Sequence, residues 1–367
     1  MTIGQNIKKL RKNADMTQEE LAEMLSISSQ AISRWETDSA MPDISLLPSL
    51  CNIFNVSADE LLGIDIVKQN EEINGIRKKA DEKSSRGYYQ EAREILENGL
   101  HKFPKSYLIM HDLMYVASHQ SDDDDYRDEQ RKLFREESIR LGEKILDSCT
   151  EDWARNNAIQ ILCFAYYDMG DYEKAQSLAQ KMPHMAVCRQ VLMSRITKGD
   201  ERLRAKQAEL YLYVSLLETG ICHMNTKMDN GEWRYNAEEV CRLKDKAIAL
   251  LDVILEDGNF GFYHCHLTDI HTDQAKYYAT LQSTPKTLYH LKQASEHAIS
   301  FLKWNQGGEY TCLLFKEMSR GSFSTHDTRN NALALLEAMK SEKFKFLFDN
   351  AEFIHIKDQL EPWAKHW

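Results

Sequence analysis

Two helix-start signals stand eleven residues apart near the N-terminus, Thr17 and Ser28, and leave room between them for one short helix and a tight turn. Thr17 followed by Glu20 is a capping box, in which the hydroxyl caps a backbone N–H while the carboxylate reaches back. Ser28 is a good N-cap for the next helix. The spacing predicts helices from about Gln18 to Leu25 and from about Ser29 to Thr37. Ahead of them Ile3, Ile7 and Leu10 recur at helical spacing until Asp15-Met16-Thr17 breaks the pattern. After them Asp43 is placed to cap a fourth helix, and Ser57, followed by Glu60, a fifth. Leu21, Leu25, Ile27, Ile32 and Trp35 are apolar where two crossing helices must bury side chains, and Ala22 is small where they approach most closely.

Five short helices, two of them joined by a tight turn, make a helix-turn-helix arrangement. The segment from Ile3 to Gly63, closing with Val56-Ser57-Ala58-Asp59-Glu60-Leu61-Leu62-Gly63, resembles the lambda-repressor-like (XRE-type) DNA-binding domain. It departs from that family at Ser26, where the turn usually holds glycine. A left-handed conformation there costs about 1 kcal/mol. The third helix has an apolar side (Ala31, Ile32, Trp35) and a short polar side almost free of acid (Ser29, Gln30, Ser33, Arg34, Thr37). An Arg such as Arg34 suits guanine O6 and N7, and a Gln such as Gln30 suits adenine N6 and N7. The resemblance implies that Ser29, Gln30, Ser33 and Arg34 read base edges and that Gln18, Ser28 and Thr37 meet phosphates. It also implies a structural pair, Arg11 with Glu36. The competing reading is a merely solvated polar face, which the completeness of the five-helix pattern outweighs. Trp35 reads as core rather than as a stacking platform.

Residues 1–65 hold five basic and ten acidic residues, a net charge of −5, and the whole chain carries −11. Bulk electrostatic coating of nucleic acid is thereby excluded, and the counterion-release contribution is small. Tight binding to double-stranded DNA then calls for two heads on two half-sites. The expectation is a homodimer on an inverted-repeat operator.

The remaining chain reads as helical throughout. Fifteen glycines and six prolines are far fewer than the roughly 44 that average usage supplies in a chain of this length. Residues 66–74 are a linker or the start of a long helix, and 75–367 are expected to form a tetratricopeptide-like α-solenoid of antiparallel helix pairs. In Asn156–Pro183, residues Leu162, Cys163, Tyr166, Gly170, Tyr172, Ala175 and Ala179 fall where tetratricopeptide repeats place large, small, aromatic, glycine and alanine positions. Gly87-Tyr88-Tyr89-Gln90-Glu91-Ala92 with Leu96, Leu100 and Pro104 is a second partial match, and Leu141–Leu146, Gln274–Ala298 and Arg329–Leu360 are weaker traces. Arg155-Asn156-Asn157-Ala158 recurs as Arg329-Asn330-Asn331-Ala332, each expected to open a helix. An irregular helical bundle is the alternative. The repeat resemblance places Asn157, Gln160, Phe164, Tyr167 and Asp168 on a concave face, where amides and aromatics suit an extended peptide. Single aromatics of this kind also serve as packing between repeats. Outside the head there are 41 basic and 47 acidic residues, which suggests a neutral or basic ligand.

The eight cysteines form no CxxC pair, and the first ten residues contain no apolar signal region, so reduced thiols and a cytoplasmic location are expected. No apolar run reaches membrane-spanning length. His264-Cys265-His266 with His271 invites a metal, but adjacent positions on a helix diverge, so no metal and no cofactor are expected. The run Asp122–Asp125 lacks the calcium-loop pattern. P-loop, dinucleotide-glycine, HExxH and GxSxG motifs do not occur, so no enzyme is expected. The sequence therefore points to an all-α, DNA-binding transcriptional regulator whose array dimerises, binds a peptide or other effector, or does both. This architecture resembles peptide-responsive regulators. Two alternatives stay open: an array that only docks protein partners, and a scaffold whose head does not bind DNA.

Overall fold

The computed structural model describes residues 2–63, 66–123, 125–318 and 324–367. The expected boundary at Asp65, and Asp124 of the acidic run, lie outside the described residues. The chain divides into two compact units, residues 1–79 with 95–109 and residues 80–94 with 110–367. The described residues are all-α, apart from two isolated β-bridges, Lys227 with Trp233 and Arg329 with His366. None of their helices is long and apolar enough to cross a membrane. All eight cysteines are free thiols.

The first unit opens with α1 (Ile3–Asn13), α2 (Gln18–Met24), α3 (Ser29–Glu36), α4 (Leu47–Phe54) and α5 (Ala58–Leu61). The start signals act as their chemistry dictates: Thr17 and Glu20 close a reciprocal capping box, and Ser28 and Ser57 cap α3 and α5. Asp43 caps a short 3-10 turn, Ile44–Leu46, that leads directly into α4. Ile7, Leu21, Ile32, Leu50 and Leu61 are fully buried at the centre of these five helices. Next comes α6 (Ile66–Ser84), so residues 66–74 are helical. Within this unit Gly99, in α7 (Tyr89–Lys102), lies against Ile76. A Cβ there would stand 2.9 Å from the Ile76 Cγ2.

The second unit continues through α8 (Tyr107–Asp122), α9 (Asp128–Ser148), α10 (Asp152–Asp168), α11 (Tyr172–Ala179), α12 (Arg189–Ile196), α13 (Gly199–Cys222), α14 (Ala237–Ile254), α15 (Tyr263–Thr280), α16 (Thr284–Trp304), α17 (Asn331–Ala338) and α18 (Ala351–Leu360). Gly170 turns at φ +80° between α10 and α11, and Asp171 caps α11. Cys163 and Ala175 meet where these helices approach, with Sγ 3.4 Å from the Ala175 carbonyl. Helices α9 and α10 are drawn together at Gly142, where a Cβ would stand 2.9 Å from the Leu162 Cγ. Helices α15 and α16 form a long antiparallel pair: His264 faces His297 and His271 faces His290, seven residues up one helix matching seven down the other. Pro285 sits in the first turn of α16, where a missing N–H costs nothing.

One sequence expectation fails. Arg155–Ala158 does not open a helix, because α10 already begins at Asp152, whereas Asn330 is the true N-cap of α17. The two identical tetrads meet different partners. Arg155 donates to the Leu146 and Cys149 carbonyls at the end of α9, while Arg329 is held by Asp327 and Glu337.

Candidate nucleic-acid interface

The α2–α3 corner is built by short-range chemistry. Ala22, at 3% exposure, accepts a backbone hydrogen bond from Ile27 (3.0 Å), which closes the turn. Ser26 holds that turn at φ +55°, the left-handed conformation that its position demands. Leu21, Ile32 and Trp35 fill the angle between the helices. Burying the Ile32 and Trp35 side of α3 leaves the opposite side outward. Gln30, Arg34 and Thr37 are exposed there, with Ser29 and Ser33 half-buried beside them. Among the described residues no acid pairs with Arg34, so its guanidinium is free to meet a ligand.

Behind this face lies a buried ion pair. Arg11 Nε and Nη2 donate to the two Glu36 oxygens at 2.6 and 2.9 Å, and Nη1 donates to the Met16 carbonyl at 2.6 Å. Gln18 Nε2 donates to the same carboxylate at 2.8 Å. Burial alone would raise the Glu36 pKa, but the hydrogen bonds from Arg11 and Gln18 hold it below the ordinary carboxylate range. The Glu36 hydrogen bond likewise pushes Arg11 above its usual value. The pair ties α1 to the end of α3. Gln18, expected at a phosphate, gives one of its two amide N–H groups to Glu36 and keeps the other. Ser28 and Thr37 are exposed. The Ser28 hydroxyl oxygen caps the Ala31 N–H, and the Thr37 hydroxyl is within 2.9 Å of the Ser33 carbonyl.

Three contacts escaped the sequence reading. Thr2 and Gln5 form a capping box on α1, which the S/T-x-x-E/Q spacing signals. Asn6 is buried and its amide reaches the Glu60 carbonyl at 3.1 Å, joining α1 to α5. Gly4 lies on the end of α3, where a Cβ would stand 1.8 Å from the Trp35 carbonyl oxygen.

A helix-turn-helix family model matches residues 7–61. The N-terminal domain is an XRE-type helix-turn-helix. The chain is 39% identical over 82 residues to the HTH-type transcriptional regulator ImmR of Bacillus subtilis, a match covering 22% of this chain and 65% of ImmR. It is 41% identical over 63 residues to the antitoxin PezA of Streptococcus pneumoniae, covering 17% of this chain and 40% of PezA. The chain thus spans less than two thirds of the length of either relative. A crystal structure of Bacillus thuringiensis PlcR with the peptide PapR7 and DNA aligns over 83% of this chain and 98% of PlcR, at 14% identity and a TM-score of 0.33. In the XRE-type head the four expected base-reading residues, Ser29, Gln30, Ser33 and Arg34, share the outward side of α3.

The other expected site lies on α10. Gln160, Phe164, Tyr167 and Asp168 are exposed and Asn157 is half-buried, at spacings of three and four that place them along one side of the helix. Phe164 is 63% and Tyr167 61% exposed, and the Tyr167 ring meets Tyr172 of α11 edge-on at 5.2 Å between centroids. The Asn157 amide donates to the Trp153 carbonyl of its own helix (2.8 Å). Burial, reinforced by Asp122, raises the Asp168 pKa, against a smaller opposing pull from Arg135. The sequence reading missed Trp153, one turn before Asn157, which is 47% exposed and tilts against His111 at 4.6 Å between ring centroids.

The run His264-Cys265-His266 with His271 divides: His264 and His271 both face α16, while Cys265 and His266 turn to other partners. His264 faces His297 at 2.8 Å, Cys265 accepts from Asn331 at 3.2 Å, and His266 reaches Glu218 at 2.8 Å. Among the described residues no three His, Cys, Asp or Glu side chains converge to hold a metal ion.

Proposed function

We propose that this chain is a DNA-binding transcriptional regulator. Its head inserts α3 into the major groove, with Arg34 and Gln30 reading base edges and Ser29 and Ser33 close to them. Helix N-termini attract phosphate, so the starts of α2 and α3, with Gln18 and Ser28, lie against the backbone, and Thr37 meets it from the other end of α3. The observation that carries the reading is the acid-free outward side of α3 within a helix-turn-helix match. A head of net charge −5 gains little from counterion release, which supports a homodimer on an inverted repeat, with half-sites one helical turn or a multiple apart. The helical array supplies the dimer contact and takes the effector. The exposed stripe on α10 supports a short peptide held by Asn157 and Gln160 on its backbone and by Phe164 and Tyr167 on its side chains. Free thiols and a DNA ligand fit a cytoplasmic, non-enzymatic role.

Selection of bound fragments from genomic DNA at fixed salt tests the reading. Arg34→Ala and Gln30→Ala should each lose about 1–3 kcal/mol on the selected operator with folding unchanged. Wild-type affinity in Arg34→Ala overturns the groove assignment, and binding no stronger than to competitor DNA makes the head a scaffold.

A further inference from the structure

One pocket furnished for a small ligand uses no residue of α3 or of the α10 stripe. Between α14, α15 and the segment that precedes α14 is a cavity of about 420 Å³. Its aromatic wall is Trp233, Tyr235 and Tyr277. Its charges are Lys244, Lys276 and Lys343, against Asp273 alone. The lining therefore carries two net positive charges, in a chain whose net charge is −11.

The aromatic wall is held in place. Asn225 clamps both backbone groups of Tyr235, its amide donating to the carbonyl at 3.1 Å and its oxygen accepting from the N–H at 2.9 Å. The Arg234 N–H donates to the Thr226 carbonyl at 3.0 Å, the Met228 N–H to the Glu232 carbonyl at 2.8 Å, and Lys227 bridges Trp233. Asn236 then caps α14 in a capping box with Glu239. This narrow hairpin presents an indole that is 59% exposed, with the Lys227 ammonium 5.5 Å from its centroid. Leaving so much aromatic surface in water forgoes the burial that normally repays an aromatic side chain.

The lysines outnumber the carboxylates on the pocket lining, although Asp269 beside it also acts on Lys244 and Lys276. Lys244, only 12% exposed, donates to Asp273 at 2.5 Å, and Lys276 approaches the other oxygen of the same carboxylate at 3.4 Å. One carboxylate thus serves two ammonium groups, and Lys343 adds a third at the rim.

From the aromatic wall and the cationic rim together we infer that this pocket binds a small aromatic carboxylate, its ring against Trp233 and Tyr277 and its anion at Lys276 and Lys343. This differs from the neutral or basic ligand that the overall acidity of the array suggests, because the local charge balance, not the sum, meets the ligand. The site does not depend on DNA binding or on the α10 face.

Calorimetric titration of the full chain with 2-naphthylacetate, its uncharged amide and 2-naphthylethylamine tests the inference. The acid should bind with a dissociation constant of about 1 mM or below, the amide about tenfold more weakly, and the amine weakest of all. Lys276→Gln with Lys343→Gln should bring the acid down to the level of the amide. Trp233→Leu should weaken acid and amide alike by about tenfold, with the helical circular dichroism unchanged. The inference is overturned by an amine that binds as well as the acid, by lysine variants without effect, or by no binding of the acid up to about 10 mM.

Discussion

Removing Arg11 should loosen the head severely, because it breaks a buried ion pair. The Glu36 carboxylate is 1% exposed and accepts from Arg11 twice and from Gln18 once. Arg11→Ala leaves a buried anion with only the Gln18 amide and also strips the Met16 carbonyl of its donor. Breaking a buried pair by deleting one partner costs about 3–5 kcal/mol. A domain of about 60 residues holds only about 3–9 kcal/mol in all. The head should therefore become marginal while the rest of the chain stays folded. Amide hydrogen exchange on the full chain reads this directly: the amides of α2 and α3 should open about 100-fold or more readily, and those of α15 and α16 should not change. Arg11→Met with Glu36→Met should be less damaging than Arg11→Ala, because no unpaired charge remains. Since the Glu36 pKa is depressed in the folded head, the pair's contribution is present above the ordinary carboxylate pKa and lost as pH falls below it. An opening free energy within about 1 kcal/mol of wild type in Arg11→Ala would refute the reasoning, as would a double variant worse than the single one.

Ser26→Gly should stabilise the head by about 1 kcal/mol, because Ser26 already sits at φ +55°; a denaturant midpoint that does not rise counts against that account. Gly142→Ala should destabilise the array by about 1–3 kcal/mol, since crowding against Leu162 and the Met114 methyl outweighs the ~1 kcal/mol helix preference for alanine. An unchanged or higher melting temperature would show that α9 and α10 move apart freely. Burial pushes His264 and His271 down to about 3 and His297 to about 4, with His290 also lowered, while Asp245 pulls His290 the other way. Their folded pKa values lie below the unfolded value, so their neutral pairing stabilises the array above about pH 6.5 and is lost as pH falls toward 4. Thermal melts should show α15 and α16 losing stability between pH 7.5 and pH 5, by on the order of 2 kcal/mol for each strongly shifted histidine; a pH-independent melt contradicts the pairing. Truncation after Gly63 should leave a folded, monomeric head that binds operator far more weakly, which ultracentrifugation and footprinting would check.

What the chain determines alone is what acts over a few residues. The capping box at Thr17, the N-cap at Ser28, the small Ala22 and the left-handed Ser26 are all legible because each signal and its partner lie within one or two turns. Two helix periods and one turn then force Ile32 and Trp35 inward and Gln30 and Arg34 outward. Tertiary structure decided whatever joins distant segments. Asn6 on the Glu60 carbonyl, Gly4 on the end of α3, and the two histidine pairs across α15 and α16 carry no local mark. The Arg-Asn-Asn-Ala tetrad shows the limit. The same four residues lie inside α10 and cap α17, because the preceding helix end takes one arginine and two nearby acids take the other. The cationic pocket likewise exists only because a hairpin brings Trp233 beside lysines 11, 43 and 110 residues further along the chain, where no sequence period reaches.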